Sequence, residues 1–372
     1  MKRKKVVNLG GLTGGGMASQ LMFNSQGDTG ALRPFIGKDG RAYISVLKEG
    51  GDRKNLGSYE KVPVNNATLR YEEWRTLDRA VQEMGRTRLV GFEDLRSRGL
   101  VYNLTNPMAT TVLTWEEISG QLQAVVSIDP LTKGRNDAPN YGTKHIPIPV
   151  VHADFLISQR LLLQSRKIGN GLDTTNAEFA TRAIMETFDS MLFGTEPILN
   201  YGGGNIYSYL THPDVNEILF DSAGDYWDDD DVTGAMIVAD VSAMKAMSKD
   251  ALHHGPWLVY ISSNYETKMD DDYNANYAGT IRERIMKLEG IQGVKVVDSL
   301  PDDTVILVQM SKDVVDLIDG LPLQTVQWDE QGGFVSNYKV LAIQLPRVKS
   351  KLGQTGSTRY SGIVVRASES YK

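Results

Sequence analysis

The stretch LDTTNAEFATRAIMETFDSMLFG, Leu172 to Gly194, decides how the rest of the chain is read. Thr175 followed by Glu178 has the spacing of a capping box, in which hydroxyl and carboxylate each satisfy a backbone N–H that the first helical turn leaves open. Ala177, Ala180, Ile184, Phe188 and Met191 then recur every three or four residues, which gathers them on one side of a helix. From Asn176 to Phe193 such a helix is roughly 27 Å long at 1.5 Å per residue, enough to act as the backbone of a domain.

Upstream, TWEEISGQLQAVVSIDPLTKGRNDAPNYGTKHIPIPVV (Thr114–Val151) has two extended runs around a tip crowded with Gly, Pro, Asn and Asp, the pattern of a long hairpin. Pro147 and Pro149 stand two residues apart, so both missing N–H groups point the same way and the other edge can still pair. Ile146, Ile148 and Val150 then share an apolar face that two strands cannot bury alone, and it is expected to lie against something else. Farther upstream, NNATLRYEEWRTLDRAVQEMG (Asn65–Gly85) sets Leu69, Trp74, Leu77 and Val81 at near-helical spacing before a glycine stop. A second apolar segment runs from Leu89 to Leu100.

Residues 1–65 are rich in glycine and polar residues, with short apolar runs such as Arg41–Leu47, and read as an extended arm ordered by lying on other chains. They hold 11 Lys/Arg against 5 Asp/Glu, while the remainder holds 29 against 41. A basic segment of this kind can attract nucleic acid or an acidic neighbouring subunit, or stand as a solvated tail, and composition alone does not choose.

Downstream of the long helix the pattern alternates. A helix over Val241–Leu252, a strand at Trp257–Ile261, a helix capped by Thr280 and the strands VKVVD and TVILVQM predict an α/β or α+β unit. Pro322–Pro346 then offers two long runs joined through Gly332 and Gly333, a second long hairpin.

Composition narrows the chemistry. Among 372 residues there is no cysteine, and the five histidines lack metal-ligand spacing, which sets aside disulfides, thiol nucleophiles and zinc. No apolar run reaches the ~18 residues that cross a bilayer, and the basic N-terminus is followed by glycines, so a soluble protein made in the cytoplasm is expected. The aspartates of DYWDDDDVTG (Asp225–Gly234) are adjacent, whereas a calcium loop needs spaced ligands around a turn glycine; Asp228, Asp229, Asp230 and Asp231 therefore read as a solvated surface, with a weak cation site as the alternative, and so does MDDDY at Met269–Tyr273. The glycine clusters Gly10–Gly16 and Tyr201–Tyr207 lack the phosphate-loop pattern and read as flexible turns. His253 and His254 read as partners of a helix C-terminus, and Met244 and Met247 as core. No catalytic residue, cofactor or metal site is assigned.

Taken in order, NNATLRYEEWRTLDRAV, the long arm, the helix at 172–194, IYSYLTHPDVNEI (Ile206–Ile218), GPWLVYISSNYETKMDDDY, GTIRERIMKLEGIQGVKVVDSLP and DLIDGLPLQTVQW resemble the major capsid protein of tailed bacteriophages, a fold shared with encapsulin nanocompartments. The resemblance covers Asn65 to the C-terminus. It implies an α+β chain with an N-terminal arm (1–65), a peripheral domain (66–234) holding an extended loop at about 120–151 and a spine helix at about 175–193, and an axial domain (235–322). A long hairpin (323–346) would return to the peripheral domain, with a C-terminal segment (347–372) near the axial one. It further implies hexamers and pentamers of this chain closing an icosahedral shell around double-stranded DNA in a virion assembled in the host cytoplasm, with a portal and, where used, scaffolding or decoration proteins as partners. An encapsulin-type shell around protein cargo is the alternative, and a cation-dependent enzyme using the acidic loops is the rival from another class. The length of the N-terminal segment favours the virus, and the absence of a scaffold-like domain before the body implies a separate scaffolding protein if one is used. In such a shell Ile146, Ile148 and Val150 become an inter-subunit contact. Lys133 and Lys144 lie in the loop, with no partner asparagine identifiable for a cross-link.

Overall fold

The computed structural model describes residues 33–47, 58–64, 67–88, 90–119, 126, 128, 140–168, 172–196, 198–220, 226–274, 277–330, 335–352 and 359–368. In chain order these form β1 (Phe35–Ile36), β2 (Ala42–Leu47), β3 (Tyr59–Pro63), β4 (Leu69–Arg70), α1 (Tyr71–Arg88), α2 (Val90–Ser97), β5 (Val101–Asn103), β6 (Val112–Ser119), β7 (Asn140–Pro147), β8 (Val151–Ser158), α3 (Gln159–Ile168) and α4 (Thr175–Phe193). Then come β9 (Asn200–Tyr201), β10 (Gly204–Asn205), β11 (Asn216–Phe220), α5 (Gly234–Asp250), β12 (Trp257–Ser262), α6 (Glu266–Asp270), β13 (Asp272–Asn274), β14 (Tyr277–Thr280) and α7 (Ile281–Met286). The last elements are β15 (Ile291–Val297), β16 (Val305–Gln309), β17 (Val315–Glu330), β18 (Val335–Val348), β19 (Ser350–Leu352), β20 (Arg359–Ser361) and β21 (Ile363–Ser368).

The predicted apolar side of α4 is its buried side: Ala177, Ala180, Ile184, Phe188 and Met191 are all inside, joined by Met185, Leu192 and Phe193. The cap lies one residue earlier than the spacing indicates. Thr174 is the N-cap, its hydroxyl donating to Glu178 Oε1 at 2.7 Å, while Asp173 Oδ1 accepts from the Thr175 N–H at 3.0 Å. Asp173, Thr174 and Thr175 can each serve as a cap, and packing of the helix decides which does. Helix α4 packs on a four-stranded sheet ordered β5-β17-β18-β8. The hairpin β17–β18 begins at Val315, ahead of the expected Pro322, because register shifts at Asp319/Leu321 and Leu321/Gln324 place Pro322 at a bulge, where a strand tolerates a missing donor. Its turn at Gly332 and Gly333 lies outside the described residues.

A second sheet, ordered β11-β21-β16-β12-β15, holds the other core. Strands β12, β16 and β21 are buried at every residue. The C-terminal β21 sits between β11 and β16, so residues 363–368 supply an inner strand of this sheet, and β11 joins it from ahead of the expected boundary at 235. Helix α5 starts at Gly234, seven residues before the predicted Val241, and α7 begins at the predicted cap, Thr280, whose Oγ1 accepts from the Glu283 N–H at 3.2 Å. The two layers meet at Asp94, 4% exposed, whose carboxylate accepts from the Tyr260 hydroxyl at 3.1 Å and from Lys295. Burial, together with Tyr209 and Asp94 nearby, pushes the Tyr260 phenol well above its ordinary value, so it stays a donor.

Residues 33–47 and 58–64 depart from the expected arm. Strands β3-β2-β1-β4 form one sheet, with β1 pairing β4 in parallel across the expected boundary at 65. Phe35 is 4% exposed in the main core, and the Pro34 carbonyl accepts from Trp74 Nε1 at 2.9 Å. The arm pattern fails here because one aromatic, Phe35, reaches the core from a polar context. Residues 1–32 lie outside the described residues. A chain beginning at residue 67 is expected to be less stable than one beginning at residue 33 by about 3 kcal/mol, the burial of Phe35 plus one hydrogen bond; circular dichroism melts of both should show it, and equal melting would place Phe35 outside the core.

Candidate assembly surface

Strands β6 and β7 pair from Val112↔Pro147 to Ser119↔Asn140, the described part of the expected long hairpin; residues 129–139 of its tip lie outside the described residues. The pairing puts Leu113 opposite Ile146 and Trp115 opposite Lys144 on one side. That side is not open. Ile146 and Ile148 are 4% and 7% exposed and belong to the subunit's own core, against which Leu113 and Trp115 also pack; of the three residues expected at a subunit contact, Val150 alone is exposed, at 40%. The reason is local: Pro147 ends the ladder, the Ile148 N–H donates to Thr111 O at 2.8 Å, and the turn joining β9 to β10 lies against β7. The apolar face that two strands cannot bury is thus buried by the same chain.

A charged pair fixes this base to the second hairpin. Asp316 and Arg347 stand directly opposite each other on β17 and β18, 6% and 7% exposed in their side chains, and meet as a fork at 2.8 and 2.5 Å. Lys349 adds a third group at 2.7 Å from Asp316. The guanidinium lies 5.3 Å from the ring of Trp115 on β6 and 4.8 Å from that of Tyr102. Arg347 therefore holds two strands together through its carboxylate partner and the hairpin through its faces.

Large exposed apolar side chains occur instead on three consecutive elements: Leu156 on β8, Leu161, Leu163 and Ile168 on α3, and Phe179 on α4, between 53% and 64% exposed. Helix α3 turns Leu161, Leu163 and Ile168 outward while its Arg166 is tied inward, forking onto Glu73 at 2.8 and 2.6 Å and donating to Thr68 O at 2.9 Å. Burial pushes the Glu73 carboxyl up, but Arg166 and the Arg70 N–H outweigh it and hold the group below the ordinary carboxylate value. Neither β8 nor α3 was read from the sequence. The alternation in VHADFLIS was the available signal for β8.

The acidic stretch is a capped loop end. Trp227 is fully buried, donates Nε1 to Asp240 at 2.8 Å and lies under Arg366, whose guanidinium is 3.1 Å from Asp240. Asp228, Asp230 and Asp231 are exposed beside it, as are Asp270, Asp271 and Asp272. Among the described residues no group of three or more His, Asp or Glu converges as a metal site would require. Met244 is core and Met247 packs partly buried against it. His253 lies three residues past α5, where its backbone N–H donates to Ser248 O and that of Leu252, at φ 63°, donates to Lys249 O. This is a Schellman closure with leucine in the left-handed position, so the helix is finished by backbone groups. Within Tyr201–Tyr207 the expected turn falls at Gly202 and Gly203, both at positive φ, enclosed by β9 and β10 and packed on the hairpin base. Gly10–Gly16 and Lys133 lie outside the described residues.

A family profile described as "Family of unknown function (DUF6260)" matches residues 65–343. No curated protein sequence matches the chain. Among solved structures, the virus-like particle from Pyrococcus furiosus is similar with a TM-score of 0.54 and 15% identity, covering 80% of this chain and 98% of that one. Microbacterium phage Oxtober96 follows at 0.51 and 10%, covering 73% and 90%. The capsid of Myoviridae phage XM1 scores 0.49 at 12% identity over 70% and 86%. The chain has the α+β capsid fold of tailed phages and encapsulin-like particles.

Proposed function

The chain belongs to this family of unknown function, DUF6260, and from its fold we propose that it is a structural subunit that assembles with copies of itself into a closed shell. The observation that carries the reading is the likeness to the virus-like particle, which runs through 98% of that chain and 80% of this one. The exposed apolar residues of β8, α3 and α4 support it, since a monomer gains nothing from leaving them in water. No helix among the described residues is long and apolar enough to cross a membrane. In finer detail the shell is a virion capsid of hexamers and pentamers around double-stranded DNA, with a portal and, where used, scaffolding or decoration proteins; the excess of Lys/Arg in residues 1–65 suits a polyanion. The subunit's part in this is structural, not enzymatic.

The test is sedimentation and negative-stain microscopy of the purified chain across concentration and salt. Capsomers or closed particles are expected. A 41.1 kDa monomer under all conditions, including co-expression with its neighbouring genes, would reject the shell. Nuclease-protected DNA in particles supports the capsid, and co-purifying protein cargo without DNA supports a compartment.

A further inference from the structure

The turn between β9 and β10 presses glycines against both strands of the hairpin base. A side chain at Gly204 would place its Cβ 2.3 Å from the His145 carbonyl oxygen and 2.6 Å from its carbon, both backbone atoms of β7. At Gly202, φ +62°, a Cβ would come 2.5 Å from Val112 Cγ2 on β6. Gly203, φ +79°, faces open space. Two positive φ values in a two-residue loop are what a type I′ turn needs, which accounts for Gly202 and Gly203. It does not account for Gly204, which sits in a strand; there the hydrogen atom in place of a side chain is what lets β7 lie down.

We propose that this turn is a brace that sets the angle at which the β6–β7 hairpin leaves the subunit, with Gly204 and Gly202 as positioning residues for assembly. Relieving a Cβ at Gly204 requires β7 to move by about 1 Å at His145, since backbone atoms cannot rotate away as a side chain does. His145 is three residues from the hydrogen bond at Ile148 that ends the hairpin, or about 10 Å at ~3.4 Å per residue, so the hairpin tilts by about 6°. Asn140, eight residues from that point, is then carried by about 3 Å. Contacts at the outer end of the hairpin are thus controlled by a turn at its base. The assembly part of the inference rests on the shell reading; the brace itself does not.

Two measurements separate them. Hydrogen exchange of Val112–Ser119 and Asn140–Pro147 in the isolated subunit tests the brace, and particle yield and diameter test its consequence. Gly204→Ala is expected to speed exchange in these segments tenfold or more, with closed particles reduced at least fivefold or spread in diameter. Gly203→Ala, which strains the turn without touching the hairpin, is expected to leave the exchange of these segments near wild type. Gly202→Ala is expected to act like Gly204→Ala, and Val112→Ala added to it should restore slow exchange by removing the atom it meets. Unchanged exchange in Gly204→Ala, equal acceleration by Gly203→Ala, or no rescue by Val112→Ala would each overturn the brace. If Gly204→Ala does not fold, the Gly202 and Val112 pair decides. Fast exchange with normal particles would overturn the positioning role. Failure of the wild-type chain to form particles would reject the shell reading and with it the assembly role, while the exchange comparison still decides the brace.

Discussion

Replacing Ile146 and Ile148 together with serine is expected to unfold the isolated subunit. Both side chains lie in the main core, at 4% and 7% exposure. Truncating a buried isoleucine costs about 2 to 5 kcal/mol, and each serine hydroxyl left without a partner adds about 1 to 3. Two such sites together remove most of the 5 to 15 kcal/mol that ordinarily holds a folded domain. Val150→Ser, at a side chain 40% exposed, is expected to change stability by about 0.5 kcal/mol or less. Urea titration of the subunit, followed by circular dichroism, distinguishes the two. A stable double variant that fails only in assembly would return these residues to a subunit interface.

This outcome shows where sequence reasoning stops. The pattern of Ile146, Ile148 and Val150 identifies an apolar face correctly, but pattern carries no information about which chain covers it. The answer came from β9 and β10, which lie against β7 from about 50 residues downstream. Local signals read well: the five core positions of α4, the Thr280 cap and the buried Trp257 strand follow from spacing and turn chemistry, while the expected hairpin is present with its return strand ending at Pro147 instead of running on to Val151. Gly85 was read as a stop, yet α1 runs through it to Arg88, since one glycine costs a helix only about 1 kcal/mol against alanine. The place of β21 was not legible. IVVRAS has strand-forming residues, but its insertion between β11 and β16 is decided by pairing over more than 50 residues of separation on one side and more than 140 on the other. The exposed residues of β8 and α3 were missed because neither element was read at all.

Asp316→Ala is expected to cost about 3 to 5 kcal/mol, the range for breaking a buried ion pair from one side. The substitution leaves Arg347, 7% exposed, with a charge that has lost its carboxylate and keeps only the faces of Tyr102 and Trp115. Lys349 is better placed to survive the loss, being 21% exposed and donating also to Lys312 O at 2.7 Å. Replacing both members, Asp316→Leu with Arg347→Met, is expected to fall well short of the single variant's loss, because desolvating an unpaired charge is then no longer required. Urea titrations compare the single and double variants, and a single variant within about 1 kcal/mol of wild type would mean that water reaches Arg347. The pair also bears on the hairpin. Arg347 touches Trp115 of β6 while bound to β17; the chain holds five tryptophans, so the Trp115 emission is taken as the difference between Asp316→Ala and the same variant with Trp115→Phe, and it is expected to shift to the red at denaturant concentrations below the main transition, as the hairpin base loosens before the layers do.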